Sequence, residues 1–84
     1  MTGPFQRAVK RKIARERREE AIDALVADGR TTDLAVLVRT RGLPGGLRRR
    51  ALDGLVECGA TAELDDIAAD GAVPEEIRRT ANRR

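Results

Sequence analysis

Apolar residues recur along this chain at helical spacing, and glycines interrupt them at regular intervals. Ala21, Ile22, Leu25 and Val26 fall at i, i+1, i+4 and i+5, the stripe of an amphipathic helix. Gly29 is placed to end that helix as a C-terminal glycine in the left-handed region. Thr31 is placed to cap a second helix, with Asp33 near its positive end and Leu34, Leu37 and Val38 as its apolar face. Gly42 is expected to stop it, and Pro44 suits the first turn of the next helix, where no amide donor is needed. The grammar then restarts. Leu47, Ala51, Leu52, Leu55 and Val56 form a stripe, Gly59 stops it, and Thr61 and Glu63 open a helix carrying Leu64, Ile67 and Ala68. Gly71 and Pro74 follow, and Glu75 and Glu76 precede a last helix anchored by Ile77 and Ala81. No alternating β-branched run occurs, so the pattern predicts an all-helical chain with turns near Gly29, Gly42, Gly59 and Gly71.

The two passages are copies. Moved forward by 30 residues, Ala21–Ala51 overlies Ala51–Ala81 with 11 identities in 31 pairs. About three would be expected by chance, so the period marks a repeat architecture. The identities include Asp23/Asp53, Leu25/Leu55, Gly29/Gly59, Leu34/Leu64, Pro44/Pro74 and Arg48/Arg78. Helices this short cannot bury both faces of a hairpin alone, and stacking one hairpin on the next solves that. Repeat-equivalent leucines, Leu25 with Leu55 and Leu34 with Leu64, are expected in the core.

The residues Pro44, Leu47, Arg48, Ala51, Leu55, Gly59 and Leu64, with Pro74, Ile77, Arg78 and Ala81, follow a turn proline, apolar-Arg, Ala, Leu, Gly, Leu order. This resembles the HEAT-like repeat of about 30 residues, the family that includes the phycobilisome-lyase type repeats. The first copy departs from it, with Ala14 in place of the proline and Arg17 in place of the apolar residue. The resemblance covers about residues 18–81. It implies a short right-handed α-solenoid of about two and a half helical hairpins, with residues 1–17 as a basic N-terminal helix or tail and 18–84 as the repeat domain. It says little about function, because such repeats serve many purposes.

The N-terminal segment has its own pattern. Phe5, Val9 and Ile13 are spaced i, i+4, i+8 and share a face. On one straight helix that face lies about 140–180° from Ile22 and Leu25. Either the helix breaks between Ile13 and Glu20, or the Phe5 stripe is a contact surface facing away from the repeat core. Charge concentrates here too. Residues 1–20 carry seven positives against Glu16, Glu19 and Glu20, while residues 21–84 carry ten positives and eleven acids. The whole-chain charge of +3 thus originates in the N-terminal segment. Phe5, Arg7, Val9, Lys10, Arg11, Lys12, Ile13 and Arg15 are the candidate partner-binding residues. Arg48, Arg49 and Arg50 are candidate phosphate contacts, since three consecutive arginines span about 200° of a helix and at least one should face solvent and be free. The competing expectation for Arg18, Arg48 and Arg78 with Asp23 and Asp53 is an intramolecular Asp–Arg ladder.

Signals for catalysis are sparse. There is no histidine, and Cys58 is the only cysteine, so imidazole base chemistry and a thiolate metal cluster have no residues to build them. The acid pairs Glu19/Glu20, Asp65/Asp66 and Glu75/Glu76 are adjacent on helices and diverge by about 100°. The stretch Gly42–Gly46 lacks the strand and Lys-Ser/Thr of a phosphate loop and reads as a helix-joining turn. The sequence therefore predicts a non-enzymatic, cytoplasmic interaction or scaffold module without metal or cofactor, docking partly through its N-terminal helix. The alternative is a nucleic-acid or ribosome-associated protein holding phosphates through Arg7–Arg18 and Arg48–Arg50. A core with one Phe, no Trp and no Tyr is thin. Such a core, with uncapped terminal repeats, favours a homodimer or a covering partner.

Overall fold

Among the described residues the changes of direction rest mainly on hydrogen bonds that the backbone supplies itself, and the Asp70 carboxylate adds one by accepting from the Ala72 N–H at 2.9 Å. The computed structural model describes Pro4 and residues 15–83. Five helices occupy the described residues: α1 Arg15–Ala27, α2 Thr31–Arg39, α3 Gly45–Glu57, α4 Thr61–Ala69 and α5 Glu75–Arg83. No strand occurs among them. α1 runs unbroken across the domain boundary expected at residue 18, so the break considered between Ile13 and Glu20 does not fall between Arg15 and Glu20.

The 30-residue echo recurs in the backbone. α1 and α3 have 13 residues each, and α2 and α4 have nine each. Gly29 and Gly59 both have φ of 66°, the only positive φ values among the described residues. The Gly29 N–H donates to Val26 O (3.0 Å) and the Arg30 N–H to Leu25 O (2.9 Å). Thirty residues on, Gly59 N–H donates to Val56 O (3.0 Å) and Ala60 N–H to Leu55 O (3.0 Å). This is the paired helix-end motif in which a left-handed residue closes the last turn. A Cβ at either glycine would meet nothing within 4 Å, so it is the backbone angle, not crowding, that calls for glycine.

Three expectations are corrected in detail. Thr31 is already the first residue of α2, and its N-cap, Arg30, makes no side-chain capping bond. Ala60 stands in the same place before α4. One residue stands between the glycine and the next helix, and neither Arg30 nor Ala60 has a side-chain oxygen with which to cap it. Turns fall at Gly42 and Gly71 as expected, but neither glycine is the residue that ends its helix. α2 and α4 end instead on the extended residues Thr40 and Asp70, whose amides return to Leu37 O and Ile67 O at 3.1 Å. Pro44 is the N-cap of α3 and not part of its first turn. Its carbonyl takes the Leu47 and Arg48 amides, as Pro74 takes those of Ile77 and Arg78.

Helices contact only their nearest and next-nearest neighbours in sequence. α1 packs on α2 and α3, α2 also on α4, and α3 also on α5, while α1 meets neither α4 nor α5. α1 and α3 run parallel, because Asp23 meets Arg50 and, further along both, Val26 meets Cys58. The radius of gyration, 11.8 Å, is what a compact chain of this length has. One cluster of apolar side chains fills the interior. It takes both members of the pairs Leu25/Leu55, Leu34/Leu64, Leu37/Ile67, Leu43/Val73, Leu47/Ile77 and Ala51/Ala81. Val26 and Val56 break the symmetry: Val26 is half-buried, whereas Val56 is 41% exposed. Val26 is roofed by the interior of α3 at Gly54, and the equivalent position for Val56, residue 84, lies outside the described residues. Val36 (46%) and Val56 are the only exposed large apolar side chains among the described residues. The bare apolar C-terminal end expected from the repeat count is therefore not found, since α5 turns Ile77 and Ala81 inward and carries polar residues everywhere else.

Candidate docking surface

Arg48, Arg49 and Arg50 lie in the first half of α3, and a helix turns about 100° per residue, so their side chains leave it in three directions. Arg48 is 7% exposed and its Nε donates to Val38 O at 2.7 Å. Val38 lies in the last turn of α2, where carbonyls have no partner in their own helix, so the guanidinium closes the end of that helix. Arg49 pairs with Glu76 on α5. Arg50 grips Asp23 on α1 with both carboxylate oxygens, Nε to Oδ1 at 2.9 Å and Nη2 to Oδ2 at 2.7 Å, with Glu19 at 3.9 Å. The Asp23 hydrogen bonds push the Arg50 pKa further up. Burial opposes them, and the Asp23 and Glu19 charges add to the rise. One run of three arginines thus ties the central helix to α2, α5 and α1.

All three candidate phosphate contacts are therefore engaged within the chain. Arg49 and Arg50 face solvent, but each is paired with an acid, so the free arginine expected among the three is not found. The expected Asp–Arg ladder is reduced to one rung in altered register: Asp23 meets Arg50 rather than Arg48, and Asp53 makes no ion pair among the described residues. Of the candidate partner-binding residues, Phe5, Arg7, Val9, Lys10, Arg11, Lys12 and Ile13 lie outside the described residues. Arg15 is exposed and lies 3.6 Å from Glu19 one turn along α1. Cys58 is half-buried, with Sγ 3.6 Å from Val26 O, a weak donor contact across the α1–α3 seam. The cross-helix pairs Asp23–Arg50 and Arg49–Glu76 were missed by sequence reasoning, yet they leave a mark. Both are separated by 27 residues, one repeat less about one helical turn.

A groove of about 470 Å³ runs between α1 and α3. Val26, Ala27 and Gly54 form its apolar lining, and Arg50, Asp53 and Glu57 follow one another along its α3 side, with Asp23 meeting Arg50 from α1. A Cβ built on Gly54 would collide with Cγ2 of Val26, so glycine is what lets the two helices approach at this point. Asp53 and Glu57 are both exposed and make no ion pair among the described residues. A smaller groove of about 320 Å³ lies between α4 and α5 around Ala68, Arg78 and Asn82, with Arg79 held by Glu75 at 2.9 Å on its rim. Among the described residues no group of three or more ligating side chains could hold a metal ion. No helix there is long and apolar enough to cross a membrane. Compared with protein-family models, with curated proteins and with solved structures, the chain matches none.

Proposed function

We propose that the chain is a non-enzymatic protein–protein interaction or scaffold module. In this reading it is a minimal right-handed HEAT-like solenoid of about two and a half hairpins that docks partly through its basic N-terminal segment. The observation that carries this reading is the coincidence of two periods. Residues repeat every 30 positions, and the hydrogen bonds that turn the backbone repeat at the same interval and nearly the same lengths. Contacts confined to near neighbours in sequence add support, as in repeat proteins generally. The arginines of α3 are spent on internal ties, which leaves Arg7, Lys10, Arg11 and Lys12 as the concentrated positive charge.

The test is to remove residues 1–14, just ahead of α1. The expected result is an unchanged helical circular-dichroism spectrum and loss of binding to partners captured from native lysate by the full chain. Capture that survives the deletion unchanged would refute the docking segment. The net charge of +4 in residues 1–20 favours a second reading, phosphate contact with nucleic acid, which would rest on that segment. Nuclease treatment and a salt series separate the two. Phosphate binding collapses with nuclease and falls steeply with salt, whereas an apolar groove contact loses more from Val9→Asp than from reversing Lys10, Arg11 and Lys12.

A further inference from the structure

The chain carries its two charge excesses in different places. Residues 1–14 hold Arg7, Lys10, Arg11 and Lys12 and no acid, whereas residues 15–83 hold 12 arginines and 14 acids. Within that acidic body, the α1–α3 groove is the larger of the two grooves described above, and its Asp53 and Glu57 make no ion pair among the described residues. The two acids are four residues apart on α3 and therefore stand one above the other on the same side of the groove. Behind them is an apolar strip of Val26 and Ala27. Val56 stands exposed about 60° round the helix from Asp53, on the flank away from the groove floor.

We propose that this groove is the receptor for the basic N-terminal segment of a second copy of the chain. Phe5, Val9 and Ile13 recur at i, i+4 and i+8, the anchor spacing of a helix laid into a groove, and would meet Val26 and Ala27. Lys10, Arg11 and Lys12 bring cations to Asp53 and Glu57. The segment of the same copy joins α1 at Arg15, about 12–18 Å of helix from Asp23–Ala27, and would have to double back along α1. A second copy needs no such reversal. Reciprocal exchange places each segment in the other's groove and closes a two-fold dimer. The proposal rests on the docking-segment reading and names one partner for it.

Complementary charge reversal tests it, read by sedimentation equilibrium at low salt. The full chain is expected to self-associate, and to do so less as salt rises. D53K/E57K, with basic segment and basic groove, is expected to be monomeric. K10E/R11E/K12E, with acidic segment and acidic groove, is expected to be monomeric too. Mixed, the two variants should form a one-to-one heterodimer, because each segment then meets a groove of opposite sign. The milder pair D53N/E57Q should weaken association about tenfold, as loss of two exposed ion pairs does, and it guards against misfolding of the lysine variant. A full chain that stays monomeric at millimolar concentration overturns the proposal. So does self-association that both reversals leave intact, or a mixture of the two variants that stays monomeric. The wider docking reading fails separately. D53K/E57K should still capture any external partner, and only deletion of residues 1–14 should abolish that capture.

Discussion

The seam between α1 and α3 and the seam between α3 and α5 occupy equivalent places in the repeat, yet they are held differently. In the first, Arg50 clasps Asp23, Gly54 lets Val26 press against α3, and Cys58 reaches the Val26 carbonyl. In the second, the position of Arg50 is taken by Thr80, whose hydroxyl turns back to donate to Glu76 O at 3.0 Å within α5. Asp53 is left without its arginine, and the seam relies on Arg49 and Glu76 instead. The repeat-equivalent arginine differs as well: Arg48 is buried and its Nε has the Val38 carbonyl, with only Nη2 left unpartnered, while Arg78 is half-buried and its Nε has no hydrogen-bond partner. The comparison teaches that the turns are copied between repeats and the ties across helices are not. α5 should be the more weakly held end and α1–α3 the firmer one.

The largest expected effect tests what both seams share. Leu55→Ala, in the last turn of α3 and fully buried, should cost about 2–4 kcal/mol and bring so small a domain close to unfolding. A urea melt showing a loss under about 1 kcal/mol would mean that α3 is not the centre of the core.

Next in size is the contrast between the repeat-equivalent arginines Arg48 and Arg78. Arg48→Met strands the Val38 carbonyl and should cost about 1.5–3 kcal/mol, the usual range for a hydrogen bond to a charged group. Arg78→Met removes no such bond and should cost less than half as much. Equal losses in chemical denaturation would show that the two halves are tied alike.

Gly54 tests the close approach in the first seam. Alanine in a helix interior is favoured over glycine by about 1 kcal/mol. Crowding against Val26, however, should outweigh that gain and leave Gly54→Ala less stable by about 1 kcal/mol. Adding Val26→Ala should recover part of the loss, giving a non-additive double-mutant cycle. A simple gain in stability from Gly54→Ala alone would contradict the packing.

The smallest effect exchanges the surface ties. Arg50→Thr makes the first seam resemble the second and should cost about 0.5–1 kcal/mol at low salt, less at high salt, because the pair is exposed. Thr80→Arg should give Asp53 the partner that Asp23 has and slow amide exchange in α5. Unchanged exchange in α5 would show that its weaker hold does not come from the missing arginine.

Much of this architecture could be read from residue order alone. The stripes at Leu25, Leu34, Leu55 and Leu64 marked the buried faces, and the period located the turns at Gly29 and Gly59 before any coordinates. Both follow from local rules: side-chain direction depends on helical pitch, and a left-handed residue selects glycine. Gly54 was not legible, since a glycine within a helical stripe gives no sign of what approaches it. Neither was the partner of any arginine in Arg48–Arg50. Helical geometry required the three side chains to diverge, and that much needed no fold. Which one would be buried, and which acid each of the others would meet, depended on how far α1 and α5 are displaced along α3. That displacement is set by the packing of Val26 on Gly54 and of Ile77 and Ala81 on the core, contacts between residues roughly a repeat apart whose mutual position is a property of the assembled helices.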